Sequence, residues 1–584
     1  MAKKLAVVIS GAVSLGSYEA GVTYEVLEAI AKHNVVSAPD DRIEIDVITG
    51  ASAGGMTATI LAKSLLCHGP TLRKPYENPL YKAWVEEVRM LRETASAPPG
   101  LLEVDRESHK YSLLNIDTLD RIAKKILPDD IQSCPVDCPI GEPHPAVNRD
   151  ANNTPHVLVG LAMGNLNGFP LSLRLNQVDG ISSSVDFTYS QYKDRFVMRM
   201  SRPDSDPTAN LILEEWEEYE TTSSGRGRWA PRQSPNREVS WSQLREIALS
   251  SGAFPFAFGV RQITRHSDQN SSPSALYGSR DSDRKKNAFI NDPDPFDGQY
   301  IYTDGGVFEN EPIGLAISLI ESIYGQDAIM APDRYFLFIA PGARKASSDP
   351  FRSTKEADHI SVAKALVSAI MGQSRFQDWI KQNRPPKVLA ITSEDGKLLG
   401  DVFSAFAGFL EEKFRAYDYN IGRQTAQDKL GLLFQTGNSP IKQVPIEGPL
   451  WPPTRRLENA WVAGVTHTPN SWPDAMEHFG SLASISKTQN GQRDQIAELR
   501  ALLANVEPTS RELIREQILD RVRSLVGFLY VSIPRKKSNR GLRGAVLNVA
   551  FWLMGLWALI RGRRTMENFA ARLVNIWLKT KLEL

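Results

Sequence analysis

Short apolar runs alternate with amphipathic segments along roughly the first 345 residues of the chain. Five runs rich in β-branched or aromatic residues predict buried strands, the last of them more weakly: 5–10, 43–48, 156–162, 335–341 and 299–303. Helical patterns at 18–33 and 54–66 each follow a strand within a few residues. This alternation predicts an α/β fold with an open, mostly parallel sheet flanked by helices.

Three polar stretches without a period interrupt this alternation, at 221–238, 265–287 and 343–358. They are rich in Ser, Pro, Arg and Asp, so we expect surface insertions or disordered loops. The acidic run EEWEEYE at 214–220 is expected to be the solvated face of a helix. Nothing in the sequence gathers its carboxylates around one point, so this run does not indicate a metal site.

Beyond residue 359 the pattern of apolar and polar residues is mainly that of helices, with one further strand pattern at 388–392. We therefore expect a domain at 1–345, a mainly helical extension at 346–530 that packs on it, and a distinct C-terminal segment at 531–584. The sequence contains no convincing internal repeat, and it says nothing about oligomeric state.

The C-terminal segment combines basic and apolar residues. A basic stretch at 534–543 precedes the apolar run 545–560, and RGRR follows at 561–564. As a helix, the apolar run would span only ~24 Å, short of the ~30 Å hydrocarbon core of a bilayer. The basic flanks favour an anchor in the interface of an anionic membrane, and the alternative is a helix buried in the protein core.

Charge and composition narrow the choice of partners. The 584 residues include 68 basic and 68 acidic side chains, so no overall positive field favours nucleic acid. A hydrophobic content of 42% and a charged content of 23% are typical of soluble globular proteins. Any membrane contact must therefore come from a local segment.

The N-terminus carries no recognisable export signal. Its apolar run LAVVI is shorter than the roughly 7–15 residues of a signal peptide's apolar region. We therefore expect a cytoplasmic protein, peripheral on the membrane, whose three cysteines, Cys67, Cys134 and Cys138, are free thiols. Cys134 and Cys138 lack a second pair with suitable spacing, so neither a metal nor another cofactor is expected.

A glycine-rich stretch after the second predicted strand fits the pattern G-x-S-x-G, with Ser52 at its centre and Gly50 and Gly54 at its ends. In a nucleophile elbow, small residues allow a serine to lie on a strained turn at the start of a helix. The motif alone is weak. The strand directly before it and the helix directly after it make Ser52 a candidate nucleophile.

A serine nucleophile needs a base, for which the sequence offers two candidates. Asp304 ends a predicted strand and precedes Gly305 and Gly306, so its carboxylate would lie at the carboxyl edge of the sheet, where ligands bind in open α/β folds. Burial beside the serine would raise its pKa. The alternative base is a histidine of a triad, for which His467 and His478 lie late enough in the chain.

The stretch ISGAVSLGSYEAGV at 9–22 supplies the third element of a candidate site. A glycine-containing loop between a strand and a helix can direct successive backbone N–H groups to one point, as an oxyanion hole requires. We expect the N–H groups of Gly11 and Ala12, in the loop that also contains Val13, to serve together with that of Ala53. The loop lacks the Lys and Ser/Thr of a P-loop.

The order of these three elements resembles the patatin-like phospholipases, including the larger bacterial members. Two further stretches are similar to that family: the run at 248–260, and Asn310 with Pro312 after the D-G-G motif. The similarity covers roughly residues 4–345 and extends less securely to about 430. It implies a three-layer fold and a lipid acyl hydrolase in which Ser52 and Asp304 form a catalytic dyad.

The loop at Gly11 departs from the family's usual G-G-G-x-[RK]-G pattern. Here the run is GAVSLG, so side-chain-bearing residues replace two glycines and Leu15 replaces the basic residue. Valine disfavours positive φ, so Val13 restricts how the backbone donors can point. Two alternatives to the dyad hydrolase therefore stay open: a lipid-binding or signalling protein without turnover, and an esterase with a histidine triad.

Overall fold

The structure is a computed structural model. It describes the following residues: 2–92, 97–103, 112–129, 140–175, 185–203, 210–221, 227–232, 238–255, 257–264, 288–290, 299–342, 386–394, 397–401, 405–435, 440–441, 472–484, 495–506, 508–532, 568, 571–576 and 578–582.

Within these ranges, twelve strands form one sheet. They are β1 (Lys3–Ile9), β2 (Ile43–Gly50), β3 (Asn148–Arg149), β4 (Pro155–Leu175), β5 (Val185–Ser201), β6 (Ile212–Thr221), β7 (Gly227–Pro231), β8 (Arg261–Thr264), β9 (Ala288–Ile290), β10 (Gln299–Asp304), β11 (Arg334–Ala340) and β12 (Val388–Thr392). The six strand patterns read from the sequence are all confirmed as strands, because β1, β2, β4, β10, β11 and β12 cover them.

The longer helices lie between these strands and after them. They are α1 (Gly16–Val36), α2 (Ala53–Cys67), α3 (Ile116–Ile126), α4 (Trp241–Ser251), α5 (Ile313–Tyr324), α6 (Glu412–Gln435), α7 (Trp472–Ser484), α8 (Gln495–Ala504) and α9 (Pro508–Ser532). The two predicted helices at 18–33 and 54–66 are confirmed as α1 and α2.

The sheet confirms the α/β class but is mixed rather than mostly parallel. Its parallel part has the order β12-β11-β1-β2-β4. From β4 onward the strands β5, β6 and β7 continue the sheet in antiparallel pairs, and β3, β9 and β10 pair antiparallel with β4. The long strand β4 allows this, because its second half extends beyond β2 and pairs with β5 and β9.

The helical interpretation of 214–220 is wrong. This run lies in β6, between β5 and β7. Glu215 is buried and forms an ion pair of 3.0 Å with Arg232, which follows β7. Strand β7 also occupies part of the stretch 221–238, which the sequence predicted to be an insertion or loop. The stretch 265–287 and the residues from 343 to 358 lie outside the described residues.

Both faces of the parallel part are buried. In β1, Leu5, Val7 and Ile9 belong to the hydrophobic cluster on one face, whereas Ala6 and Val8 belong to the cluster on the other. The first cluster includes residues of α1 and α2, and the second includes residues of α5. Continuous apolar strands such as β1 are expected where helices cover both faces of a sheet.

Helix α6 packs closely on α1, although almost 400 positions separate them. A Cβ atom on Gly21 would lie 1.9 Å from the carbonyl oxygen of Tyr419, so only glycine permits this approach. Arg423 forms a buried ion pair of 2.6 Å with Glu25. These contacts hold the first half of α1 against α6.

The apolar run 545–560 and its basic flanks lie outside the described residues. Within the part of the chain that the structure describes, no helix is both long enough and apolar enough to cross a bilayer.

Candidate active site

Ser52 lies on the turn between β2 and α2. Its backbone dihedrals are φ 54° and ψ −130°, a conformation that residues other than glycine adopt rarely. Its hydroxyl does not cap α2. A strained strand-to-helix turn of this kind is expected for a nucleophile elbow.

The two outer glycines of G-x-S-x-G are required by close backbone contacts. A Cβ atom on Gly50 would lie 2.2 Å from the carbonyl oxygen of Gly54. A Cβ atom on Gly54 would lie 2.3 Å from the carbonyl oxygen of Ser10 and 2.5 Å from that of Ile9. The start of α2 can therefore approach the end of β1 only because no side chain intervenes.

We expect Gly54→Ala to destabilise the protein by about 3 kcal/mol or more, because the new methyl group collides with backbone that cannot move without disturbing β1. Gly431→Ala is the matched control. Gly431 lies inside α6, and a Cβ atom at this position would meet nothing within 4 Å. The control should gain ~1 kcal/mol from helix propensity. Urea unfolding of both variants measures the difference. Equal stabilities would contradict the close approach at Gly54.

The structure brings Ser52 and Asp304 together from positions 252 residues apart. Ser52 Oγ donates a hydrogen bond of 2.5 Å to Asp304 Oδ2, and both side chains are buried. The two predicted catalytic residues are therefore in direct contact. In this arrangement the carboxyl group orients the hydroxyl and is the acceptor nearest to its proton.

Asp304 is held by the strand that it ends and by the turn that follows. Its second carboxyl oxygen, Oδ1, accepts a hydrogen bond of 2.6 Å from the Gly306 N–H. Its own N–H donates to the carbonyl of Ala253 at 3.0 Å, which also accepts from the Thr303 hydroxyl. Ala253 belongs to the stretch 248–260 that the sequence marked only by resemblance, and its role here is to fix the Asp304 backbone.

The environment of Asp304 changes its acidity. Burial raises the pKa of its carboxyl from 3.8 to about 7, although the hydrogen bonds from Ser52 and Gly306 lower the pKa in part. A carboxylate normally too weak to act as a base is thereby brought close to the range in which general bases work at neutral pH.

The predicted oxyanion loop contacts this pair, but the Gly11 N–H already has an intramolecular acceptor. It donates to the carbonyl oxygen of Asn310 at 3.1 Å. Val13 adopts φ 52°, the positive value that a β-branched residue disfavours. Ala53 begins α2, where the first N–H groups have no acceptor within the helix. The oxyanion role of these residues stays a prediction.

Of the two candidate bases in a histidine triad, neither has a described side chain. His467 lies outside the described residues, and for His478 only the backbone within α7 is described. The rings of His33 and His156 bond elsewhere, to the carbonyl oxygens of Asp41 and Thr154.

Cys67 is buried in α2. The other two cysteines, Cys134 and Cys138, lie outside the described residues.

An apolar cavity follows α2 away from Ser52. Met56 lies one helical turn after the serine, and Ile60 lies one turn further. Trp84 and residues of α3 and α4, among them Leu119 and Leu249, complete the lining. The cavity has a volume of only about 30 Å³, so it holds no acyl chain as it stands, and Met56 is the lining residue nearest to Ser52 along the chain.

Comparison with known proteins adds one distant relative. No family model matches the sequence. The chain is similar to the uncharacterized protein y4iI of Sinorhizobium fredii, with 22% identity over 508 residues. The match covers 73% of this chain and 63% of the relative, so the chain spans less than two thirds of the relative's length.

Proposed function

We propose that this protein is a serine acyl hydrolase that cleaves carboxylic ester bonds of lipids through Ser52 and Asp304. The observation that carries the proposal is the 2.5 Å hydrogen bond between Ser52 Oγ, on a strained strand-to-helix turn, and a buried carboxyl of raised pKa. An aspartate with a purely structural role in a turn does not need the combination of a bonded serine, a strained turn at that serine and a raised pKa.

The proposed mechanism has two steps. Ser52 Oγ attacks the ester carbonyl while Asp304 takes the hydroxyl proton, and the proton then passes to the departing alcohol as the acyl-enzyme forms. Asp304 next removes a proton from water, whose oxygen attacks the acyl-enzyme. The bond between the acyl carbon and Ser52 Oγ then breaks, the proton on Asp304 returns to Ser52 Oγ, and the fatty acid is released. Backbone N–H groups of Ala12 and Ala53 are the proposed donors to the negatively charged oxygen.

A lipid substrate is supported by the apolar side chains beyond Met56, among them Ile60 and Trp84, although the cavity that they line has a volume of only about 30 Å³. The G-x-S-x-G and D-G-G motifs and their order add the resemblance to patatin-like phospholipases. The test is release of free fatty acid from vesicles that contain phospholipid and glyceride. Release by the wild type, retained when His467 and His478 are replaced by alanine, is expected. Its loss in those histidine variants would favour the triad esterase instead.

Activity should rise with pH through about 7 and then level off. Asp304 acts as a base only in its ionised form, and burial raises its pKa to about 7, so the active fraction falls about tenfold per pH unit below that value. The measurement is kcat/KM between pH 5 and 9 with a soluble short-chain ester. A profile that is flat from pH 5 to 9 would contradict the role of Asp304.

The membrane contact proposed for 531–584 rests on its sequence alone. Sedimentation with anionic vesicles tests it, with the chain lacking 535–584 as the comparison. We expect the shortened chain to lose most of its binding and to unfold at a lower temperature, because it also lacks Ala571 and Leu578, which are buried in the hydrophobic cluster. Unchanged binding by a folded, shortened chain would contradict the anchor.

A lipid-binding protein without turnover is the second candidate function. The observation that favours it is the state of the loop after β1, where the Gly11 N–H is bonded to Asn310 and Val13 holds a positive φ. Lipid binding without fatty acid release and without labelling of Ser52 by a fluorophosphonate would support this candidate.

A further inference from the structure

Asn310 touches both loops that meet at Ser52. It lies six residues after the end of β10, is partly buried, and follows the turn that begins at Asp304. Its backbone carbonyl accepts the hydrogen bond from the Gly11 N–H at 3.1 Å. The segment after Asp304 is therefore tied by its backbone to the loop after β1.

The side-chain amide of Asn310 fills the space that two glycines leave open. A Cβ atom on Gly11 would lie 2.2 Å from Asn310 Oδ1 and 3.0 Å from Ser52 Cβ. A Cβ atom on Gly306 would lie 2.7 Å from the same Asn310 oxygen and 2.9 Å from Asp304 Oδ1. The amide thus separates Gly11 from Gly306 and lies beside both members of the dyad.

Contacts on both sides of Asn310 make this placement rigid. The neighbouring Glu309 is buried and receives two hydrogen bonds, of 2.8 and 2.6 Å, from the guanidinium of Arg195 in β5. Two residues later, the carbonyl of Pro312 accepts a hydrogen bond of 3.0 Å from the Thr49 hydroxyl in β2. Strands of the central sheet therefore hold the segment, which is what accurate placement of a site residue requires.

We propose that Asn310 is a positioning residue: its carbonyl holds Gly11 and its amide sets the distance between the loop after β1 and the Asp304 turn around Ser52. Its effect on turnover rests on the function proposed above, whereas its effect on Asp304 does not. Asn310 Oδ1 and Asp304 Oδ1 lie 2.7 and 2.9 Å from the position of a Cβ atom on Gly306, so at most 5.6 Å separates the two oxygens. A charge at position 310 should therefore act on Asp304 directly.

The first readout is the acidity of Asp304, measured by ¹³C NMR of protein labelled at the aspartate carboxyl carbon and assigned by comparison with Asp304→Asn. Asn310→Asp has nearly the shape of asparagine and adds a second carboxylate. We expect it to raise the apparent pKa of the Asp304 resonance by about one unit or more, as for carboxyl pairs that share a site. Asn152→Asp, the same change in an exposed loop, should leave that resonance unchanged.

The second readout is the rate at which a fluorophosphonate modifies Ser52. We expect Asn310→Ala to slow this reaction about tenfold or more without moving its pH midpoint, because the spacing of the loops is lost while no charge is added. Asn310→Asp should move the midpoint upward, and Asn152→Ala should react as the wild type does. The upward shift in Asn310→Asp distinguishes a direct effect on Asp304 from a general loss of stability, which would move no midpoint. For Asn310→Ala the distinction is made by urea unfolding, which should show a variant that reacts slowly while it stays fully folded under the assay conditions.

Failure of this inference and failure of the proposed function give different results. If the wild type reacts but Asn310→Asp leaves the Asp304 resonance and the pH midpoint unchanged, the inference is overturned and the hydrolase proposal stands. If Asn310→Asp shifts the Asp304 resonance but Ser52 reacts in no variant, the placement of Asn310 stands and the hydrolase proposal fails.

Discussion

Replacing Ser52 by alanine is expected to reduce fatty acid release by roughly 10⁴-fold or more, because the proposed acyl-enzyme can no longer form at this position. The fold should persist, since the change removes one oxygen and keeps the backbone of the turn. The measurement is kcat/KM on a short-chain ester and release from lipid vesicles, each compared with Ser242→Ala, an exposed serine that should be fully active. Full activity of Ser52→Ala would exclude Ser52 as the nucleophile.

Asp304→Asn is expected to lower kcat by about 10³-fold or more and to raise stability at the same time. The amide cannot accept the serine proton, although its oxygen can still accept from the Gly306 N–H and its NH₂ group can donate to Ser52 Oγ. Loss of activity should therefore occur with the site geometry intact.

The gain in stability follows from the raised pKa of Asp304. In the unfolded chain this carboxyl ionises near its ordinary pKa of 3.8, whereas in the folded protein it holds its proton to about pH 7. The folded state thus binds more protons between these values, so the contribution of Asp304 to the free energy of unfolding falls as pH rises from about 4 to 7. Asparagine has no such dependence. We expect the variant to be ~1–3 kcal/mol more stable than the wild type at pH 8 and similar at pH 4.

Urea unfolding at both pH values measures this difference, and Asp327→Asn, an exposed aspartate, is the matched control. A variant that loses activity and is also less stable at pH 8 would indicate that Asp304 holds the structure rather than serving as a base. Loss of activity together with a gain in stability is typical of a group that is kept in an unfavourable environment for its function.

Local pattern predicted much of the parallel part of the sheet. Strand β1 is apolar on both faces because helices cover both, and this made the run 5–10 recognisable without its partners. The same reasoning failed at 214–220. The acidic side chains conceal the alternation of buried and exposed positions in β6. Glu215 can be buried because it pairs with Arg232, which is too distant along the chain to be part of the same local pattern.

The dyad could be predicted only as two separate motifs. The glycines around Ser52 have a local cause, since β1 and α2 approach each other closely there. The contact between Ser52 and Asp304 depends on the register of β10 against β4, where Asp304 lies opposite Met163, and no sequence pattern gives that register. Asn310 was noted in the sequence only because it matches a position of the patatin-like family. Its contacts with Gly11 and Gly306 become visible only after the two loops meet.

The most direct test of the central claim is the pH dependence of fluorophosphonate modification, with the modified residue located by mass spectrometry of peptides. The account predicts modification of Ser52, at a rate that rises through about pH 7 in the wild type and is strongly reduced in Asp304→Asn. Modification of another residue, or modification of Ser52 at a rate that does not depend on pH or on Asp304, would contradict it.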